Sequence, residues 1–269
     1  MINKVSEKTI NDFSKQWLRY RDNDGFYGSL KLFEDIISPL LRIEELKGLD
    51  VCEIGSGTGR IVKMLLDAGV KSVIAIEPSD SYYVLIENLK DYKDYKNVRF
   101  VKGDGTCVSQ FEDLDMIFSI GVIHHIPEPD TVIKAAYKAL KKGGRIFLWV
   151  YAREGNESYL KIIEFLRKIT TKLPDFILIA IVEVLYWFSL FYGKLIRIFE
   201  LPLADYFLNV FNKMSPSKKR LIIYDQLNPS YAKYYTKDEI INLLSICKFT
   251  NIKTHHRHNY SWAVIAQKS

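Results

Sequence analysis

Cysteine is scarce in this chain, and its three cysteines lie far apart. They are Cys52, Cys107 and Cys247 among 269 residues, and no pair has the CxxC spacing. An odd count without that spacing supports neither a disulfide framework nor a zinc site. Since a chain of this kind suits a reducing compartment, we expect a cytoplasmic protein.

Dense runs of charge and a secretory signal are missing as well. The net charge is +6, yet nowhere do five Lys or Arg residues stand in a row. Charge alone therefore gives weak evidence for a polyanionic partner, and we expect no nucleic-acid partner. The first thirteen residues lack an apolar core, so we do not expect them to be a secretory signal. Hydrophobic residues make up 48% of the chain, enough for a sizeable buried core.

Short apolar runs alternate with helical patterns from about residue 49 onward. The predicted strands are 49–54, 72–77, 98–103, 115–120 and 144–151, and the helix between the last two is predicted to end at Gly143-Gly144. Such alternation favours a parallel, doubly wound sheet with helices on both faces. After a predicted helix at 236–249, the patterns NIKTHHRH and SWAVIAQK are separated only by Asn259 and Tyr260. So short a connection predicts an antiparallel hairpin at the end of the sheet.

Residues 152–222 interrupt this rhythm with long apolar helical patterns. One pattern places Tyr159, Ile163 and Ile169 on a single helical face, together with Ile162 and Leu166. In the next, 176–192, the only non-apolar residues are Glu183 and Ser189. A helix with so narrow a polar stripe is expected to need cover around nearly its whole circumference. We predict a helical insertion that packs on the protein, pairs with a second copy or rests on a membrane.

A glycine-rich turn and three acidic residues follow successive predicted strands. VCEIGSGTGR has glycines at 55, 57 and 59, a GxGxG spacing that differs from the GxGxxG of dinucleotide-binding proteins. Glu53 stands just before this turn, Glu77 ends the second strand, and Asp104 follows the third. A carboxylate at the end of the second strand is placed to accept hydrogen bonds from ribose hydroxyls. The pattern predicts a site for a ligand that carries a ribose and positive charge.

Five segments together resemble the class I S-adenosylmethionine-dependent methyltransferases, in particular their small-molecule branch. They are VCEIGSGTG, AIEPSD, VKGDGT, FSIGVIHHIPEP and ALKKGGRIFLWV, and YDQLNPSYAKYYTKDEI resembles a closing segment of some members. The resemblance implies a seven-stranded Rossmann-like sheet with a reversed last strand, and S-adenosylmethionine as cofactor. FSKQWLRY (13–20) resembles a segment that folds over the cofactor in relatives. The cofactor-binding residues implied are Gln16, Trp17, Glu53, Gly55, Ser56, Gly57, Gly59, Glu77, Pro78, Asp104, Gly105 and Ser119.

The acceptor is less clearly indicated. No Asn/Asp-Pro-Pro-aromatic motif and no Pro-Cys pair occurs, and no carboxylate lies between Met116 and Ile126. These absences argue against amino-methylating nucleic-acid enzymes, cytosine-C5 enzymes and metal-assisted catechol enzymes. His124 and His125 are the candidate catalytic bases, and packing is the alternative role for each. His255, His256 and His258 cannot all point to one side of a strand, so we expect no metal site.

We therefore predict a methyltransferase that acts on an O or N atom of a small, apolar or lipid-like molecule. The alternatives are an RNA or protein methyltransferase and an inactive adaptor. The predicted single domain, 1–269, has a helical cap (1–47), a cofactor-binding core (48–151), an insertion serving as substrate lid (152–222) and a C-terminal helix and hairpin (223–269). Residues 173–200 are the predicted contact with a membrane surface or with a second copy.

Overall fold

The computed structural model describes residues 4–199 and 201–269, and its centre is a seven-stranded sheet. The strand order is β3-β2-β1-β4-β5-β7-β6, in which β7 is antiparallel to both of its neighbours. The predicted doubly wound sheet with a reversed last strand is confirmed. The strands are β1 Asp50–Ile54, β2 Ser72–Glu77, β3 Val98–Lys102, β4 Leu114–Ile120, β5 Leu140–Tyr151, β6 Phe249–Arg257 and β7 Ser261–Lys268.

Helices cover both faces of the sheet because successive residues of its strands point to opposite sides. Val51, Phe118 and Phe147 pack into one core, whereas their neighbours Cys52 and Ile117 pack into the other. The helices of the described ranges are α1 Lys4–Arg19, α2 Leu30–Ile37, α3 Arg60–Asp67, α4 Ser81–Leu89, α5 Pro129–Ala139, α6 Glu157–Thr170, α7 Asp175–Leu195, α8 Ala204–Asn209, α9 Pro216–Leu227 and α10 Lys237–Ile246.

Three predicted boundaries are wrong. Helix α5 ends at Ala139, and Gly143 and Gly144 lie within β5, where the pairing with β4 shifts register. Helix α10 ends at Ile246, so Phe249 begins β6 instead of closing the helix. The hairpin turn has three residues, 258–260, because His258 and Asn259 both adopt positive φ.

Helix α7 packs against the protein along one side only. Leu178, Val182 and Ser189 are buried on that side, and Glu183 at its edge accepts hydrogen bonds of 2.6 and 2.7 Å from Arg220 of α9. Phe176 and Trp187, on its apolar side, are 71% and 64% exposed. The protein itself thus covers only part of the circumference of α7, and the cover of the rest stays a prediction.

Candidate active site

A cavity of about 440 Å³ opens where the carboxyl ends of the parallel strands meet. Gly55, Glu77 and Asp104, which follow or end β1, β2 and β3, all contribute to its wall. Ligands of doubly wound folds bind at this edge, because the chain reverses there and leaves a crevice. The structure thus brings together the predicted residues Gly55, Glu77, Pro78, Asp104 and Gly105.

The glycine turn is shaped for close approach. Gly55 has φ +80°, and a Cβ added there would lie 2.4 Å from the Val122 side chain. Gly57 has φ +52°, and a Cβ there would lie 3.4 Å from the ring of Trp17. Both positions therefore require glycine. Gly59 caps α3 with φ +86°, and the buried Ser56 donates its N–H to the carbonyl of Ile76.

Glu77 holds the turn in place. Its carboxylate accepts the N–H of Gly57 at 2.8 Å, and the N–H and hydroxyl of Ser79 at 2.9 and 2.5 Å. A carboxylate offers about four lone-pair positions, so these donors leave about one free. The Ser79 hydroxyl also lies 2.7 Å from that of Ser81, to which it can turn. Glu77 can therefore accept ribose hydroxyls if Ser79 turns away.

Glu53 is buried without a complete set of partners. The residue is 1% exposed, and its Oε2 has no hydrogen-bond partner among the described residues. Burial raises the pKa of its carboxyl group to about 8, although the nearby Arg60 opposes the shift. Glu53 forms no part of the cavity wall and lies just behind Ile54 and Gly55, which do. A ligand ammonium group that reaches Oε2 would supply the missing partner.

Asp104 and Gly105 form the third part of the site. Asp104 uses Oδ1 to accept the N–H of Thr106 at 2.8 Å, and Oδ2 has no partner among the described residues. A Cβ at Gly105 would lie 2.7 Å from Val132 and 2.8 Å from Ile54. The free oxygen of Asp104 can accept a hydrogen bond from an amino group in the cavity.

Helix α1 forms the roof of the cavity but does not bring both predicted residues into it. Trp17 lines the cavity, as do Phe13 and Thr9. Gln16 is fully buried outside it, and its Nε2 donates to Oδ1 of Asp225 at 2.7 Å. The structure therefore places Gln16 in the contact between α1 and α9.

The two adjacent histidines differ in position. His125 lines the cavity, and its Nδ1 must donate to the carbonyl of Tyr231 at 2.9 Å, which leaves a lone pair on Nε2. Burial lowers the pKa of His125 to about 4. His124 is fully buried away from the cavity; neither ring nitrogen has a described partner, and burial lowers its pKa strongly. Only His125 is in contact with the site.

A second cavity of about 150 Å³ lies against the first. The two cavities share the side chains of Phe13 and Trp17 and the backbone region of Ile120 and Gly121. Seven aromatic residues line the second cavity: Phe13, Trp17, Tyr27, Trp149, Tyr151, Tyr206 and Tyr260. Its polar groups include Asp225, which accepts a hydrogen bond of 2.6 Å from Tyr151.

Sequence reasoning missed most of this second cavity. Asp225 stands in the segment YDQLNPSY, which resembles a closing segment of some class I methyltransferases. Neither the pattern nor that resemblance indicates a role for this carboxylate. Ser119 was expected at the first cavity, but its side chain is buried in β4 and the following residues, 120–122, form the wall. The three C-terminal histidines do not converge: His258 contacts Asp35 and Asp205, whereas His256 stacks on Trp262. Among the described residues, no group of three or more His, Cys, Asp or Glu side chains could hold a metal.

Comparisons with known proteins agree with this architecture. Residues 52–148 match the family model described as a methyltransferase domain. Magnesium protoporphyrin IX methyltransferase from Synechocystis PCC 6803, solved with S-adenosylhomocysteine bound, has 15% sequence identity and a TM-score of 0.55; the match covers 95% of this chain and 94% of that one. A possible histamine N-methyltransferase from Thermotoga maritima has 16% identity and a TM-score of 0.52, with 98% of each chain covered.

Curated relatives resemble only part of the chain. The tRNA U34 carboxymethyltransferase of Pseudoalteromonas translucida is 29% identical over 119 residues, which are 44% of this chain and 37% of that protein. The ubiquinone biosynthesis O-methyltransferase of Hydrogenovibrio crunogenus is 22% identical over 152 residues, 56% of this chain and 61% of that protein. The chain thus spans less than two thirds of the length of these relatives. Through residues 52–148 it carries a methyltransferase domain, and its fold is that of the class I S-adenosylmethionine-dependent methyltransferases.

Proposed function

We propose that this chain transfers a methyl group from S-adenosylmethionine to an O or N atom of a small, largely apolar acceptor. The observation that carries the proposal is the wall shared by the two cavities at Phe13, Trp17, Ile120 and Gly121. A cofactor in the larger cavity and an acceptor in the smaller one would face each other where the two cavities adjoin at these residues. In-line transfer requires such opposed positions.

The larger cavity fits the cofactor. The unpartnered Oε2 of Glu53 suits the ammonium group of the methionine moiety, and the residue ionises as it gains this partner. Glu77 is held by three donors and accepts the ribose hydroxyls once Ser79 turns to Ser81, and the free oxygen of Asp104 suits the adenine amino group. When bound, S-adenosylmethionine supplies an electrophilic methyl group on a positively charged sulfur.

The smaller cavity fits an acceptor with an apolar or aromatic body and one polar group. Aromatic side chains provide apolar contact, and their faces also attract positive charge. Asp225 is the carboxylate in this wall, and it is held by Gln16 and Tyr151. In our proposal it orients the acceptor hydroxyl or amine by accepting a hydrogen bond. Catalysis then comes from alignment in a water-poor space, as methyl transfer from a sulfonium allows.

The insertion contributes to the acceptor side, which supports the proposed role of 152–222 as a substrate lid within one domain. Tyr206, Val210, Met214 and Leu221, all from the insertion, line the smaller cavity. Helix α9, which contains Leu221, runs on to Leu227 and so joins the insertion to the predicted C-terminal unit 223–269. Met1–Asn3 and Glu200, which fall within the predicted units, lie outside the described residues.

Filling the smaller cavity tests the proposal. In Leu221→Trp the larger side chain should occupy the acceptor space, so methyl transfer to small molecules of a cell extract, followed with labelled cofactor, should be lost. Calorimetry should show unchanged cofactor affinity. Ile246→Trp, at an exposed position of α10, is the matched control and should remain active. A Leu221→Trp protein that still methylates the same product at the normal rate would contradict the proposal.

An RNA acceptor is the second candidate. It is favoured by curated relatives named tRNA U34 carboxymethyltransferase and by the net charge of +6. The same labelled-cofactor assay with total tRNA as acceptor separates the two candidates. Incorporation into tRNA that Leu221→Trp leaves intact would favour RNA over a small molecule in the second cavity.

A further inference from the structure

Most of the exposed hydrophobic surface of this protein is concentrated on two consecutive helices and the residues after them. Of the fifteen large hydrophobic side chains that are exposed in the described residues, ten lie between Ile162 and Phe199. Six of the ten are aromatic. At about 200 Å² for each aromatic side chain, more than half of it exposed, these six together expose on the order of 700 Å². The largest apolar patch of an ordinary monomer covers about 300–600 Å². The exposed apolar area of these two helices and the residues after them thus exceeds what one ordinary patch contributes.

The exposed apolar side chains form one stripe on each helix. On α6 they are Ile162, Phe165 and Ile169, which fall within about 60° at 100° per residue. Of the residues predicted to share one face of this helix, Ile162 and Ile169 are exposed, whereas Ile163 packs against the protein together with Leu160. On α7 the stripe spans about 120° and consists of Phe176, Ala180, Val184, Trp187, Phe188 and Phe191. Ile198 and Phe199 follow it, and we call these side chains together the apolar face.

Basic side chains surround the apolar face. Lys161 and Lys168 border the stripe of α6, Lys172 precedes α7, and Lys194 and Arg197 follow its stripe. All five are exposed, and none is in an ion pair with a described residue. The acidic side chains of α7 are neutralised by ion pairs, Asp175 with Arg19 and Glu183 with Arg220. On α6, Glu157 and Glu164 are the exposed acids.

We propose that the apolar face inserts into the interface of an anionic lipid bilayer, with α6 and α7 lying in the membrane plane. Long basic side chains around an apolar helix face contact lipid phosphates while the aromatic rings enter the acyl boundary. Each Lys or Arg near an anionic surface adds attraction that salt screens. The five cations belong to the same two helices and flanking residues as the aromatic rings, beside the stripe of α6 and at the two ends of the stripe of α7.

Two other arrangements fit the observations less well. Helix α7 is, within the described residues, the one helix long and apolar enough to cross a membrane. A crossing would need lipid on all sides, but Leu178, Val182 and Tyr186 are packed against the protein and Glu183 is paired with α9. A two-fold dimer would bring the basic border against the same border of a second copy, which like charges oppose. A phospholipid surface with negative charge complements the border instead.

Vesicle binding of the full chain tests the proposal without reference to catalysis. Wild-type protein should float with phosphatidylcholine vesicles that contain phosphatidylglycerol, bind pure phosphatidylcholine more weakly, and dissociate at high salt. Trp187→Ser combined with Phe191→Ser should abolish flotation. The matched control, Tyr83→Ser with Ile246→Ser, changes two comparably exposed side chains on other helices and should float normally. Circular dichroism checks that each variant is folded.

Charge variants, and the molecular mass of the protein in solution as a measure of dimer formation, complete the test. Lys168→Gln with Lys194→Gln should weaken binding by about fivefold per charge, whereas Lys31→Gln with Lys237→Gln should not. Trp187 fluorescence should shift to the blue with anionic vesicles, and Trp187→Phe should lose that shift but still bind. Failure of the folded wild type to bind anionic vesicles would overturn the proposal. A concentration-dependent dimer that the serine variants abolish, with no vesicle binding, would show that a second copy is the occupant.

Discussion

Gln16 of α1 donates a hydrogen bond of 2.7 Å to Asp225 of α9, across 209 positions of sequence. The same carboxylate accepts a second hydrogen bond from Tyr151 of β5, at 2.6 Å. Asp225 thus joins the helix that roofs the larger cavity to the strand and helix that line the smaller one. Any change at this carboxylate is expected to affect acceptor binding more than cofactor binding.

Gln16→Leu should destabilise the protein without removing a cofactor ligand. The variant leaves Asp225 with one donor fewer in a partly buried place, and a hydrogen bond to a charged group contributes about 1.5–3 kcal/mol. Urea denaturation should show a loss of that order in the free energy of unfolding. Cofactor affinity, measured by calorimetry, should fall by less than about threefold. A fall as large as that of Glu77→Ala would instead make Gln16 a cofactor ligand.

Glu77→Ala should weaken S-adenosylmethionine binding by roughly 10- to 150-fold, because the ribose hydroxyls lose a charged acceptor and the Gly57 N–H loses its partner. Glu87→Ala, at an exposed position of α4, is the control and should bind normally. Isothermal calorimetry gives both affinities. Unchanged affinity in folded Glu77→Ala protein would remove the proposed ribose contact.

Glu53 should make cofactor binding release a proton. Its pKa of about 8 keeps the carboxyl group largely protonated at neutral pH, and an ammonium partner favours the ionised form. Affinity should therefore rise as pH increases from about 6 toward 7.5, before the ligand amine itself deprotonates. Calorimetry in buffers of different ionisation enthalpy measures the released proton. Glu53→Gln should abolish both the rise of affinity with pH and the release of the proton. If this variant releases the same number of protons on binding, the proton comes from a group other than Glu53.

His125 and His124 should behave differently when replaced. If His125 acts as a base, kcat at saturating cofactor should fall only near pH 4, because the pKa of this residue is about 4, and His125→Phe should lower turnover above that pH. His124→Phe should keep its turnover and its unfolding midpoint, because neither nitrogen of His124 has a described partner to lose. Full activity in His125→Phe would exclude His125 as the base.

The His258–Asp35 pair should make stability depend on pH. The hydrogen bond to Asp35 raises the pKa of His258 above its usual 6.5. A group with a raised folded-state pKa contributes stability that is complete below its unfolded pKa and is lost as pH rises through the folded one. Thermal unfolding midpoints should therefore fall more between pH 6 and 8 for wild type than for His258→Gln. If the unfolding midpoints of the two proteins fall equally over this pH range, the His258–Asp35 pair contributes nothing to the pH dependence of stability.

The sequence by itself determined the sheet and the residues that follow β1, β2 and β3 at the edge of the larger cavity. Apolar runs of strand length, each followed by a helix, allow few arrangements other than a doubly wound sheet. Once the strands are parallel, their carboxyl ends must meet, so Gly55, Glu77 and Asp104 have to come together at one edge. The positions of these residues follow from local pattern and from the connection rules of the fold.

Only the tertiary structure decided the rest. That Asp225 meets Gln16 and Tyr151 depends on how α9 and α1 pack, which no spacing in the sequence encodes. The structure alone shows which side of α7 packs: Leu178, Val182 and Tyr186 lie against the protein, and Glu183 pairs with Arg220 of α9. The sequence could not indicate this side, because a helix that is apolar almost all round offers several faces that could pack equally well.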